Sequence, residues 1–113
     1  MIVKPIPKHL LIHTVVYEQF QEGDGITTES GFLPPVTLSD VRVQALSNIK
    51  KNTNSEDLLY DAMLFYDVVN SSSSAPFEFT EKSKVNHNGK TMFIEKVNPV
   101  EAIKLHHYEI GLK

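Results

Sequence analysis

Five histidines, His9, His13, His87, His106 and His107, are the residues of this 113-residue chain best suited to ligating a metal or moving a proton near neutral pH. Their spacing argues against a shared site. His9 and His13 are four apart, which on a strand separates them by roughly 13 Å at about 3.3 Å per residue. His106 and His107 are adjacent, and neighbouring side chains on a strand point to opposite faces. A transition-metal site wants three or four convergent ligands, so these are read as surface or hydrogen-bonded histidines. The carboxylates Glu56, Asp57 and Asp61 invite an acid–base reading, but a polar loop explains them equally well. The hydroxyls of residues 71–74 have no activating His nearby in sequence and no Gly-x-Ser-x-Gly elbow. Gly23-Asp24-Gly25 lacks the further glycine and helix of a phosphate loop. With no cysteine, thiolate catalysis, disulfides and sulfur-ligated zinc are excluded. The sequence therefore predicts neither enzyme, nor cofactor, nor metal.

Eleven basic against fourteen acidic residues give a net charge of -3, without the basic footprint of a phosphate-binding surface. Lys50-Lys51 is the only adjacent basic pair. Aromatics such as Tyr17, Phe65, Phe79 and Tyr108 fall in strand-like runs, where they are core or a base-stacking platform for single-stranded nucleic acid. Prolines at positions 5 and 7 interrupt any export signal. No apolar run approaches the roughly twenty residues needed to span a bilayer, so no membrane partner is expected.

The elements that must position these side chains read as strands. Asn88-Gly89 between residues 85–87 and 90–94 is a two-residue type I′ hairpin turn, because both central residues need positive φ. That turn sets His87 opposite Lys90, Asn86 opposite Thr91 and Val85 opposite Met92, with Val85, Met92 and Ile94 on one face. Strict alternation puts Phe93 and Val97 on the other, too apolar for a solvated surface, so something should cover them. Residues 10–20 read as a first strand whose two faces are both apolar, and residues 36–44 as a second. Residues 21–35 form a long loop or protruding hairpin, where Ile26, Phe32 and Leu33 make a partner contact plausible. Residues 46–57 are a second long loop, followed by a strand from about Leu59 to Asn70, or by a helical turn over 55–58 with Ser55 as N-cap. Residues 71–75 are a turn, and Phe77 and Phe79 pair with the hairpin. Asn98-Pro99 marks a turn, 100–104 hold one helical turn at most, and 105–112 form a last strand with His106, Tyr108 and Ile110 inward.

Six or seven strands without a long helix predict an all-β fold, a small antiparallel β-barrel or sandwich with long loops and one or two short helical turns. Residues 1–8 are an extended arm and 9–113 a single barrel domain.

Several segments resemble the small minor capsid proteins of tailed phages and prophages of low-GC Gram-positive bacteria. These are Pro7-Lys8-His9-Leu10-Leu11-Ile12-His13-Thr14-Val15, Val36-Thr37-Leu38-Ser39-Asp40-Val41-Arg42-Val43 and Leu64-Phe65-Tyr66-Asp67-Val68-Val69-Asn70-Ser71. Val85-Asn86-His87-Asn88-Gly89-Lys90 and Lys104-Leu105-His106-His107-Tyr108-Glu109-Ile110-Gly111-Leu112 continue the likeness. The chain departs from it at Glu81-Lys82-Ser83-Lys84, where members often carry Gly-Asp. The resemblance implies a structural virion protein of the head–tail connector: a head-completion or stopper ring beneath the portal and adaptor, retaining packaged DNA and offering the tail a docking surface. A tail-side joining or tail-terminator protein and a single-stranded nucleic-acid-binding barrel are the alternatives. On this reading Lys50, Lys51, Asn52 and Asn54 face the channel and its DNA. Phe32, Leu33, Phe93 and Val97 meet neighbouring subunits of a homo-oligomeric ring, made in the host cytoplasm and sited in the virion neck.

Overall fold

The computed structural model describes residues 4–23, 26, 29–45 and 60–113. Among these residues nine strands follow one 3₁₀ turn at Lys8–Leu10: β1 His13–Glu18, β2 Phe20–Gln21, β3 Gly31–Phe32, β4 Val36–Ala45, β5 Ala62–Asp67, β6 Ser72–Ser73, β7 Lys84–His87, β8 Lys90–Ala102 and β9 Lys104–Leu112. Pairing runs β1-β7-β8-β9-β5-β4, and β4 returns to β1, closing a six-stranded antiparallel barrel with β6 added on β4. Closure depends on β4 serving two neighbours, β1 through Val36 to Val41 and β5 through Arg42 to Ala45. The strand changes partner around Asp40, whose φ of 55 is the left-handed conformation that Asp tolerates better than most residues.

The first strand shows how closure decides what alternation leaves open. Leu11, Val15 and Tyr17 are buried, whereas Ile12 and Val16 are exposed, so the odd-numbered set faces the barrel interior. Leu38, Val41, Leu64, Val85, Met92, Ile94, Ile110 and Leu112 complete one continuous core. The Asn88-Gly89 hairpin has the expected register, with both turn residues at positive φ (52 and 82). Ser72–Ser73, within the expected 71–75 turn, bonds β4 at Leu38 and Ser39.

Four expectations are corrected. Asn98-Pro99 is not a turn: β8 runs unbroken to Ala102, and the chain reverses at Ile103, φ 72. The long β8–β9 ladder supplies the partners that local turn chemistry cannot outweigh, and Pro99 lies opposite Tyr108 without breaking it. Phe77 and Phe79 join no strand; their rings instead pack at 4.9 Å from each other and against Tyr17 and Tyr66. Val97 does not share a face with Phe93. The register steps from Ile94↔Leu112 to Lys96↔Gly111, so one extra residue reverses the alternation, and Val97 packs on the core while Phe93 faces out. A second irregularity, between Val100↔His107 and Glu101↔Leu105, inserts His106 and turns it from the inward set. The 46–57 loop, Leu59 and the 55–58 turn lie outside the described residues.

Candidate functional site: an aromatic and basic strip on the barrel wall

The six strands of the closed wall have no free edge, which leaves outer-wall side chains, the short added strands and projecting hairpins for contact with another protein. Three of the four predicted interface residues meet these conditions. Phe32 lies on the short β2–β3 hairpin within residues 21–35, directly opposite Phe20, with the two rings edge-to-face at 5.7 Å. Leu33 follows it, its N–H donating to the Gln19 carbonyl at 2.8 Å. Phe93 stands on β8 opposite Lys84. Phe32 remains 40% and Phe93 44% exposed, so neither ring has found its full cover within this chain.

Lys84 joins the two. Its backbone pairs with Phe93 and its ammonium sits 4.3 Å from the centre of the Phe32 ring, a cation–π contact. Lys82 reaches the Phe20 ring at 5.7 Å in the same way. The result is a strip of Phe20, Phe32, Lys82, Lys84 and Phe93 on one side of the barrel. Sequence reasoning missed both lysines. Lys84 was within reach of it, because the register fixed by Asn88-Gly89 continues to Lys84↔Phe93. Lys82 over Phe20 was not, since it joins residues 62 positions apart through the tertiary fold alone.

A buried polar knot fixes the strip. The Tyr17 hydroxyl donates to the Glu78 carbonyl at 2.6 Å, accepts the Thr80 N–H at 3.1 Å, and lies 3.1 Å from Ser83 Oγ. Ser83 Oγ also accepts the Phe20 N–H at 2.9 Å and meets Thr80 Oγ1 at 2.7 Å. Tyr17 and Ser83 are fully buried, so each polar atom must be satisfied internally, and the knot holds the base of the β2–β3 hairpin against β7. Beside it, Tyr66, Phe77, Phe79, Tyr108 and Glu78 line an open cleft of about 320 Å³. Burial raises the Tyr66 hydroxyl above its ordinary value, a hydrogen bond with Ser73 opposing the shift.

Val97 contributes to the core and not to the strip. Lys50, Lys51, Asn52 and Asn54 lie outside the described residues. Four of the five histidines fall into two pairs that their spacing did not suggest. His13 and His87 meet edge-on at 4.7 Å, and His13 Nδ1 accepts the Val43 N–H at 3.0 Å where β1 and β4 shift register. Burial, His87 and the Arg42 guanidinium all lower the His13 imidazole from its usual value. His106 and His107 bond each other, through the irregularity noted above. Among the described residues no three His, Asp or Glu side chains gather as a metal site would need, and no helix is long and apolar enough to cross a membrane.

Fold and surface define a small closed β-barrel with an outward aromatic strip. The chain matches the minor capsid protein family over residues 7–112 and belongs to it, a family of phage structural proteins found in the virion. No curated protein and no solved structure matches it.

Proposed function

We propose that the protein is a head-completion, or stopper, subunit of the phage head–tail connector, forming a homo-oligomeric ring in the virion neck. There it would contact the portal and adaptor above and tail proteins below, and help to retain packaged DNA. The observation that carries this reading is the exposed Phe32–Lys84–Phe93 strip on the wall of a closed barrel. A subunit of a ring needs an apolar lateral contact, and this one is anchored from beneath by buried hydrogen bonds. Family membership supports a virion component. The loop carrying Lys50, Lys51, Asn52 and Asn54 is the proposed channel element, because nonspecific contact with DNA needs basic and neutral polar groups and no base readout.

Phe32→Ser and Phe93→Ser in a phage carrying this gene test the proposal. Both variants should fold, yet yield DNA-filled heads that leak their genome and lack tails. Full infectivity from the double variant would remove the strip from the assembly. Deleting residues 48–55 tests the channel assignment separately, which fails if particles still hold their DNA. The single-stranded nucleic-acid reading has aromatic rings and lysines in its favour, but Lys82 and Lys84 cover ring faces on which bases would stack. A tail-side protein would bind purified tail tubes, whereas the connector subunit binds DNA-filled heads.

A further inference from the structure

The inner wall of the barrel ends in two tyrosines. Tyr66 on β5 and Tyr108 on β9 stand opposite each other, on the inward parity of Leu64 and Ile110, and β5 stops one residue later at Asp67. They form the last inward layer at one mouth of the barrel. Phe77 and Phe79, from the segment between β6 and β7, close the floor. Tyr66 meets them at 5.4 and 5.6 Å, and Phe79 meets Tyr108 at 5.1 Å and Phe77 at 4.9 Å. The open space beside them, about 320 Å³, lies at the small end of ligand sites, with room for one long side chain and too little for an extended cofactor.

The lining of this mouth suits positive charge. The faces of its four aromatic rings carry negative potential, and Glu78 is the only charged residue among them. Glu78 is exposed, and its carboxylate has no ion-pair partner among the described residues. Its main chain is held on both sides, the N–H donating to Gln19 Oε1 at 3.0 Å and the carbonyl accepting the Tyr17 hydroxyl at 2.6 Å. No Lys, Arg or His among the described residues lines the space, so a phosphate or carboxylate would find no cation there. The rings cross at 57° to 86°, which leaves no pair of parallel faces to sandwich a nucleobase. An apolar side chain would fit the volume but gain nothing from Glu78. A cation gains from both the ring faces and the carboxylate.

We propose that this mouth is a second contact site, which receives an arginine side chain from a neighbouring virion protein. Arginine fits better than lysine because its guanidinium is more weakly hydrated, lies flat on a ring face and pairs with a carboxylate through two parallel bonds. The site is separate from the strip of Phe20, Phe32, Lys82, Lys84 and Phe93. It is built on β5, β9 and the segment between β6 and β7, and it meets the strip only through the Tyr17 knot, which bonds the Glu78 carbonyl on one side and Ser83 on the other. That the arginine belongs to a virion protein rests on the connector reading, whereas its capture rests on the mouth alone.

The test titrates the full chain with N-acetyl-arginine methylamide and follows the aromatic ¹³C–¹H spectrum. The Tyr66, Phe77, Phe79 and Tyr108 resonances should move together, with a dissociation constant of roughly millimolar order, as one side chain allows. The citrulline analogue, of the same shape but uncharged, should bind about tenfold more weakly, and Glu78→Gln should weaken the arginine probe about two- to fivefold. Glu78 is exposed, so that variant should melt as the parent does. In a phage carrying this gene, Glu78→Arg should lower the yield of infectious particles. Equal binding of the citrulline analogue, an unchanged affinity in Glu78→Gln, still rings up to about 50 mM arginine probe, or full infectivity of Glu78→Arg would each overturn the site. The titration needs no ring, so failure of the connector reading would leave its result unchanged.

Discussion

Asp67 is a carboxylate with no access to solvent, and three N–H groups account for it. Oδ2 takes those of Val69 and Asn70, closing the turn after β5, and Oδ1 takes that of Ile6. Asp67→Ala would leave three donors unpaired and should cost about 2–4 kcal/mol in chemical denaturation, with Asp67→Asn intermediate. A loss below about 0.5 kcal/mol for the Ala variant would refute that account of the turn. His13 makes a prediction in pH. Its folded-state value lies below the ordinary 6.5, so the folded chain resists a proton that the unfolded chain accepts. Its contribution is complete above about pH 6.5 and declines as pH falls through that value toward the lower folded one. The urea midpoint should therefore drop between about pH 7.5 and about pH 5.5, and His13→Gln should reduce the drop.

At the scale of the element, the two irregularities in the β8–β9 ladder decide which side chains are available. Sequence alternation alone gives Phe93 and Val97 the same direction; the extra residue before Lys96 separates them. Val97→Ser should cost about 1–2 kcal/mol of stability and Phe93→Ser within about 0.5 kcal/mol, a contrast that thermal melts would show and that strict alternation forbids. The hairpin turn is the opposite case, fixed locally. Gly89 at φ 82 has space for a side chain but not the backbone for one, so Gly89→Val should lose about 1–2 kcal/mol through conformation alone. At Gly111 the conflict is packing: an added Cβ would meet the Tyr60 ring at 2.7 Å, so the ring must move.

For the whole molecule, closure is the governing fact. The last strand pairs with both β5 and β8, and Lys113 exchanges two backbone bonds with Phe93, at 2.8 and 2.9 Å. Removing residues 110–113 should abolish cooperative unfolding, since Ile110 and Leu112 leave the core with them. Closure also takes the six wall strands out of edge pairing and leaves the short outer strands, the aromatic strip and the projecting β8–β9 hairpin, whose Ile103 is 85% exposed. So small a lateral patch is too weak to hold a ring alone, and the isolated protein should elute as a monomer in size-exclusion chromatography at micromolar concentration.

Local chemistry was enough for the all-β class, the Asn88-Gly89 hairpin with its register, and the inward set Val85, Met92 and Ile94, because turn conformation and period-two alternation act within a few residues. Phe32, Leu33 and Phe93 were also legible, as apolar side chains that a strand pattern could not bury. What long-range pairing alone decided was the rest: which face of β1 is inside, the inward turn of Val97, the course of β8 through Pro99, the lysines over the phenylalanine rings, and the two histidine pairs. Each depends on a partner distant in sequence or on a one-residue insertion in a ladder, and no local pattern contains either.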